Sequence, residues 1–187
     1  LKYWGYGGVG KDWKVEHSKE AARTGNYGMR LVFQEGSYTN LCQPLSAKPS
    51  RGHKVRLSGW VRAVKGNGAH LYIDAWDVSF IANSSRFSEM APPDGNWHYL
   101  QTELEVPNNA ITIFPQAKLH LEPTVADFDD LSLEDLATGD ELLKNGSFEE
   151  ASLPTLKDHK RLSEISKCVK EGRAEVIGGA YTQPILY

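Results

Sequence analysis

The sequence predicts an all-β fold, a two-sheet antiparallel β-sandwich, followed by a short α/β tail. Three observations carry this. Runs of strict period-2 alternation recur along the first two thirds of the chain, and such runs form half-buried strands because successive side chains point to opposite sides of a sheet. Short runs of this kind are separated by Gly, Pro, Asn and Asp turn signals, which is the pattern of a sandwich of the jelly-roll kind. A helical period is absent before residue 150 and first appears at 156–170, where Leu162, Ile165 and Val169 recur at helical spacing.

The clearest stretch is HKVRLSGWVRAVKGNGAHLYIDAWD, from His53 to Asp77. Val55, Leu57, Gly59, Val61 and Ala63 share one face, and Lys54, Arg56, Ser58, Trp60 and Arg62 the other. After Gly66-Asn67-Gly68, Leu71, Ile73 and Ala75 alternate with His70, Tyr72, Asp74 and Trp76. The link makes a hairpin the simplest reading. That reading puts Trp60, Tyr72 and Trp76 on one exposed face, with Arg56, Arg62, Asp74, Tyr99 and Gln101 as polar companions.

The other elements follow in order. Residues 1–12 are Gly-rich and read as a loop, whose Trp4 and Tyr6 form either a ligand-facing rim or a plug over the core. Trp13 to His17 is a strand. Tyr27, Met29, Leu31 and Phe33 alternate with Gly28, Arg30, Val32 and Gln34, giving a second strand with an apolar face. Tyr38 to Leu45 is a third. Residues 79–96, with Pro92-Pro93-Asp94-Gly95, read as an irregular connection. Trp97 to Val106, Ala110 to Glu122 and Val125 to Leu133 complete the strand set. The expected boundary falls at 140: a sandwich over 1–140, then a strand–helix–strand tail or fragment of a following domain over 141–187.

Composition narrows the function classes. The 187 residues suit one domain, or one plus a fragment. A net charge of −3 gives no electrostatic case for nucleic acid or an anionic membrane. No apolar run approaches the ~20 residues of a bilayer span. Two cysteines, Cys42 and Cys168, lie far apart, which argues against a disulfide framework and a cysteine-ligated metal. The chain starts at Leu1, which fits a removed leader or a start inside a longer chain. The six histidines show no ligand spacing, and there is no GxSxG elbow, phosphate loop or dinucleotide fingerprint.

The aromatic face is the most informative chemistry. Flat rings flanked by Arg, Asp and Ser suit a ligand with an apolar face and a polar rim, such as a sugar ring. Stacking removes ring surface from water, and planar polar groups fix orientation. The bland alternative is that the same rings pack under loops or against the tail. Asp129-Asp130 supplies hard oxygens of the kind calcium takes, or it simply caps a strand end.

Several segments together resemble the jelly-roll, galactose-binding-like carbohydrate-binding modules of families 4, 9, 16 and 22. They are Trp13, Arg23-Thr24-Gly25-Asn26-Tyr27-Gly28-Met29-Arg30-Leu31, Val55 to Arg62, Trp97 to Pro107, and Phe128-Asp129-Asp130-Leu131-Ser132-Leu133. The resemblance covers about residues 1–136. It implies a structural calcium near the final strand, at Asp129 and Asp130, with carbonyls from the Thr24–Asn26 turn. It also implies an opening Asn-Gly-Ser-Phe-Glu strand, but here that motif stands late, at Asn145 to Glu149. Either the opening strand is lost, or a second module begins there, or a permuted strand closes the first module and brings Glu149 to the metal site. The tail, through Glu171-Gly172-Arg173-Ala174-Glu175-Val176-Ile177-Gly178-Gly179, faintly resembles a barrel segment of family 38 α-mannosidases.

These readings converge on non-catalytic carbohydrate binding: a module that holds polysaccharide for a linked catalytic domain, in a secreted or cell-surface glycoside hydrolase. Affinity of such a platform is expected at roughly micromolar to millimolar. Two alternatives stay open. A glycoside hydrolase needs two carboxylates facing each other within about 5–10 Å. A tethering sandwich needs Trp60, Tyr72 and Trp76 all covered.

Overall fold

The computed structural model describes residues 1–151. The helix expected at 156–170, the barrel-like segment and Cys168 lie outside the described residues. One compact unit spans Leu1–Glu150, so the sandwich runs past the expected boundary at 140. Its elements are β1 (Gly5–Lys11), β2 (Lys14–Ser18), β3 (Gly28–Phe33), β4 (Glu35–Cys42), β5 (Leu45–Ser46), β6 (Lys54–Lys65), β7 (Ala69–Trp76), β8 (Ala82–Phe87), β9 (His98–Glu105), β10 (Thr112–His120), β11 (Thr124–Asp135) and β12 (Asp140–Glu141).

The strands form two antiparallel sheets. The first has the order β1-β4-β10-β7-β8, with β5 also on β10. The second has the order β2-β3-β11-β6-β9, with β12 on β11. The expected alternation holds residue by residue. Met29, Leu31 and Phe33 of β3, Val55, Leu57, Val61 and Ala63 of β6, and Leu71, Ile73 and Ala75 of β7 all enter the shared core.

The expected hairpin does not form. β6 pairs with β9 and β11, whereas β7 pairs with β8 and β10. Residues 66–68 therefore carry the chain from one sheet to the other. Their glycines answer to close approach: a Cβ on Gly66 would lie 2.2 Å from the Pro123 carbonyl oxygen, and one on Gly68 would lie 2.4 Å from that of His120. Two further strands were not expected. Gly-rich β1 forms the margin of the first sheet beside β4, and β8 forms the opposite margin within the stretch read as irregular. Both are edge strands, where a continuous apolar face is not required.

The late Asn-Gly-Ser-Phe-Glu motif closes this same sandwich. Phe148 is fully buried and lies 5.3 Å from the ring of Trp4, which is itself only 6% exposed. The Trp4 indole N–H donates to the Asn145 carbonyl at 3.0 Å, and His17 Nε2 meets the Phe148 carbonyl at 2.7 Å. Leu131 N–H donates to the Gly146 carbonyl at 2.9 Å, and a Cβ on Gly146 would lie 1.8 Å from the Leu131 oxygen, so only glycine fits. The segment is a strap and not the expected fresh strand. Of the two readings for Trp4, the plug is the one the fold uses.

Truncating Phe148 removes a buried ring and half of the Trp4 contact. Phe148→Ala should cost about 3–5 kcal/mol of stability, read as a lower denaturant midpoint at unchanged slope. A chain ended after residue 140 should fail to fold cooperatively; native-like unfolding of that chain would show that the strap is dispensable.

Candidate functional site

Because β6 and β7 belong to different sheets, their outer side chains face opposite sides of the molecule. Trp60, Arg56, Arg62, Tyr99 and Gln101 lie on the outer face of the second sheet, whereas Tyr72, Asp74 and Trp76 lie on that of the first. The expected single platform is thus two surfaces.

On the second sheet, charge is compensated internally. Arg30 Nε donates to Asp127 Oδ1 at 2.7 Å, and Arg62 donates to Asp127 Oδ2 through NH2 at 2.6 Å. Asp127 is buried, and two guanidinium groups offset its desolvation. Arg56 pairs with Glu103 at 2.8 Å. The Arg23 guanidinium lies 3.7 Å from the Trp60 ring centroid, and Tyr99 meets the same ring edge-on at 5.4 Å. One face of Trp60 is therefore already taken by a cation. Arg62 covers Trp97 in the same way at 4.8 Å.

The outer face of the first sheet is built differently. Cross-strand pairing sets Lys118 beside His70 and Asn40, Gln116 beside Tyr72 and Cys42, and Phe114 beside Asp74. Tyr72 is paired in turn with Phe87 on β8. Trp76 and Phe114 meet at 5.0 Å between centroids, tilted by 51°. Tyr38 stands opposite His120. Rings from four strands thus share one surface with a chain of amides and acids. Asn40 Nδ2 donates to Gln116 Oε1 at 2.7 Å, Gln116 Nε2 donates to Asp74 Oδ2 at 3.1 Å, and Trp76 Nε1 donates to the same oxygen at 3.3 Å.

Asp74 is 5% exposed, and its second oxygen, Oδ1, has no hydrogen-bond partner among the described residues; nor has His120 Nδ1. A buried polar atom without a partner costs on the order of 1–3 kcal/mol, so such atoms mark places where something else completes the bonding. Burial, helped by the neighbouring His120, lowers His70 to about 4, and burial also lowers His120 and Lys118. Burial and the adjacent Asp74 raise the Tyr72 hydroxyl.

Of the residues expected from sequence, Tyr72, Asp74 and Trp76 come together here. Tyr6 does not join them: it pairs with the core-facing Leu41 at the sheet margin, although it is 57% exposed. Phe114, Gln116, Lys118 and His120 were missed. Their signal was present as strict alternation with Ile113, Pro115, Ala117 and Leu119.

Asp129 and Asp130 meet the expected loop, but through donors. Arg23 N–H and Thr24 N–H donate to Asp129 Oδ2 at 2.7 and 3.0 Å, and Asp130 N–H donates to Oδ1 at 2.8 Å. Asp130 takes the Thr24 hydroxyl at 2.9 Å and the Arg23 guanidinium at 3.2 Å. Glu149 accepts from Asn26 and Tyr27 N–H, both at 2.9 Å, and these bonds hold its carboxyl below the usual range. Burial, in contrast, pushes Asp129 up. A calcium site needs the loop to offer carbonyl oxygens. Here it offers N–H groups and a guanidinium, and no metal-holding group of three His, Cys, Asp or Glu occurs among the described residues. In this structure these carboxylates are held by hydrogen-bond donors of the loop.

No family model matches the chain, and no curated protein matches it. Solved structures do. The C-terminal family 22 carbohydrate-binding module of Clostridium thermocellum Xyn10B is similar at 13% identity and a TM-score of 0.54, over 75% of this chain and 89% of that one. The N-terminal CBM22-1–GH10 modules of Clostridium thermocellum endo-1,4-β-D-xylanase 10B, complexed with xylohexaose, are similar at 17% identity and a TM-score of 0.53, over 69% of this chain and 26% of that one. The enzymatically active domain of bacteriophage CBA120 tailspike protein 4 is similar at 13% identity and a TM-score of 0.52, over 71% of this chain. The chain spans only 19% of the tailspike structure. At these identities the likeness is one of fold, and the protein has the two-sheet jelly-roll sandwich found in family 22 carbohydrate-binding modules.

Proposed function

We propose that this chain is a non-catalytic carbohydrate-binding module, and that it holds a glycan on the outer face of its first sheet. The observation that carries this reading is the set of partly exposed rings, Tyr72, Trp76 and Phe114, interleaved with the polar Asn40–Gln116–Asp74 chain. The apolar side of a pyranose would cover a ring while its hydroxyls meet the polar atoms around it. Asn40 and Gln116 orient the carboxylate from behind. The shared fold supports the same reading. So does one similar structure, in which the module is joined to a hydrolase and complexed with a xylo-oligosaccharide. In this proposal the module raises local substrate concentration for a linked glycoside hydrolase, and the parent protein works outside the cell.

The two alternatives have less support. Hydrolysis with paired carboxylates needs a second acid near Asp74, and β7, β8 and β10 contain none. A purely tethering role needs covered rings, whereas Trp60, Tyr72 and Trp76 are each partly exposed. Among the described residues, no helix is long and apolar enough to cross a membrane.

One measurement tests the proposal, and a second tests the electrostatics of the same face. On a glycan array followed by affinity gels, Trp76→Ala and Tyr72→Ala should each weaken binding by about 1–2 kcal/mol, a five- to thirty-fold loss. Trp60→Ala should leave affinity within about two-fold, because its ring lies on the other sheet under Arg23. Full binding by both first-sheet variants would place the site elsewhere. The second concerns acid. His70 is held neutral in the folded protein, with a pKa of about 4 against 6.5 in an open chain. The unfolded chain therefore binds the extra proton between these values. Stability is complete above about pH 6.5 and falls as pH drops to about 4, by roughly 3 kcal/mol. Denaturant unfolding of His70→Phe should show this acid limb flattened; an unchanged limb would assign it to other groups.

A further inference from the structure

Charged groups are treated differently on the two outer faces. On the second sheet, Arg23, Arg30, Arg56 and Arg62 each have a carboxylate within ion-pair distance. On the first, Lys118 has none among the described residues. Its ammonium lies 4.2 Å from the Tyr72 ring centroid and 4.8 Å from that of Tyr38, held between two aromatic faces. Burial lowers its pKa, and only the more distant charge of Asp74 opposes that shift. Asp74 acts on it only through space, since the two lie beyond ion-pair distance. The neighbours His70 and His120 supply no negative charge, and His120 Nδ1 is one more buried atom without a partner.

A partly desolvated cation is costly unless something compensates it. The rings contribute a share through their quadrupoles. They cannot supply a counter-charge, and they leave the ammonium on the surface where the ligand is proposed to lie. A four-residue step along β10 separates Lys118 from Phe114, about 13 Å at the rise of a strand. The face thus has an aromatic end at Trp76–Phe114, where Asp74 also lies, and a cationic end at Lys118–His120.

We infer that the ligand of this face is an anionic glycan, whose carboxylate or sulfate ester docks at Lys118 while its uncharged sugars lie toward Asp74 and Trp76. The inference rests on the glycan-binding reading above and names the substrate class of that site. Lys118 supplies a charge-assisted hydrogen bond.

The test uses the full chain and polymers matched in all but charge. The pairs are polygalacturonate and its methyl ester, glucuronoxylan and its carboxyl-reduced form, and a sulfated galactan and its desulfated form. In affinity gels at low salt, the charged member of at least one pair should bind about ten-fold more tightly. The first two pairs report a uronate, the third a sulfate ester. That preference should shrink toward equality as sodium chloride is added, because exposed charge is screened. In Lys118→Met the ratio between charged and neutral members should fall to about one, and Lys118→Arg should keep the preference. Equal binding within every pair, or a preference that survives in a folded Lys118→Met, overturns the inference and leaves glycan binding standing. Should Lys118→Met not fold, the salt response of the native protein decides alone. A native protein that binds none of the six polymers overturns the glycan reading itself, and this inference with it.

Discussion

Each long strand of the two sheets gives one side to a single apolar layer and has only its other side to offer. That constraint decides where chemistry can sit. Burial at roughly 25 cal/mol per Å² fixes which side turns inward, because slipping a strand by one residue would expose its whole apolar set. Function is thereby confined to the two outer faces and the loops. The crossing at Gly66–Gly68 then separates the aromatic side chains of β6 from those of β7. Two strands that look equivalent in sequence come to serve unlike surfaces.

The same constraint explains the strap. A sandwich missing an opening strand would leave Trp4 and the β2–β3 end open to water. Residues 141–150 return to cover them, with Phe148 filling the gap and Gly146 passing against Leu131. Glu149 and Asp129 then draw the 23–27 loop inward through its own N–H groups. A carboxylate that accepts two backbone donors in this way immobilises a loop. Arg23 links this clamp to the second sheet, because its guanidinium reaches Asp130 and covers Trp60.

How much of this the sequence announces depends on what kind of signal is read. Period-2 alternation is a local property, and it assigned Val55, Leu57, Leu71 and Ile73 to the core and Tyr72 and Trp76 to an outer face correctly. Pairing is not local. Nothing in the residues of β6 says that it will pair with β9 and β11, far along the chain, and the Gly-Asn-Gly link imitates a hairpin turn. The glycines are needed for clearance under the β10–β11 loop, a reason that periodicity cannot express. The strands β1 and β8 escaped notice because edge strands need no apolar face, and GYGGVGK and ANSSRF have none. Phe114 and Lys118 were legible as alternation. Their importance comes from lying beside β7, a pairing that alternation does not encode. The late Asn-Gly-Ser-Phe-Glu motif was correctly singled out as anomalous; which of its three meanings applied required the contact with Trp4.

What the first-sheet face contributes beyond its inventory of rings is order. Lys118 spans Tyr38 and Tyr72, and the Asn40–Gln116–Asp74 chain ends on the Trp76 indole, so these seven surface groups are held by neighbours before any ligand arrives. Immobilising a rotamer-rich side chain on binding costs about 0.5–1.5 kcal/mol. Folding has already met part of that cost here. The same links mean that these residues do not act as independent contributors, since each removal loosens a neighbour and energies in such a network do not add. On the second sheet, similar rings lie under guanidinium groups whose charges are already matched, so a ligand there would have to displace a satisfied contact. Among the described residues the first sheet combines exposed rings, prior order and unmatched polar atoms, and that conjunction, more than the number of aromatics, is why the glycan is proposed to bind there.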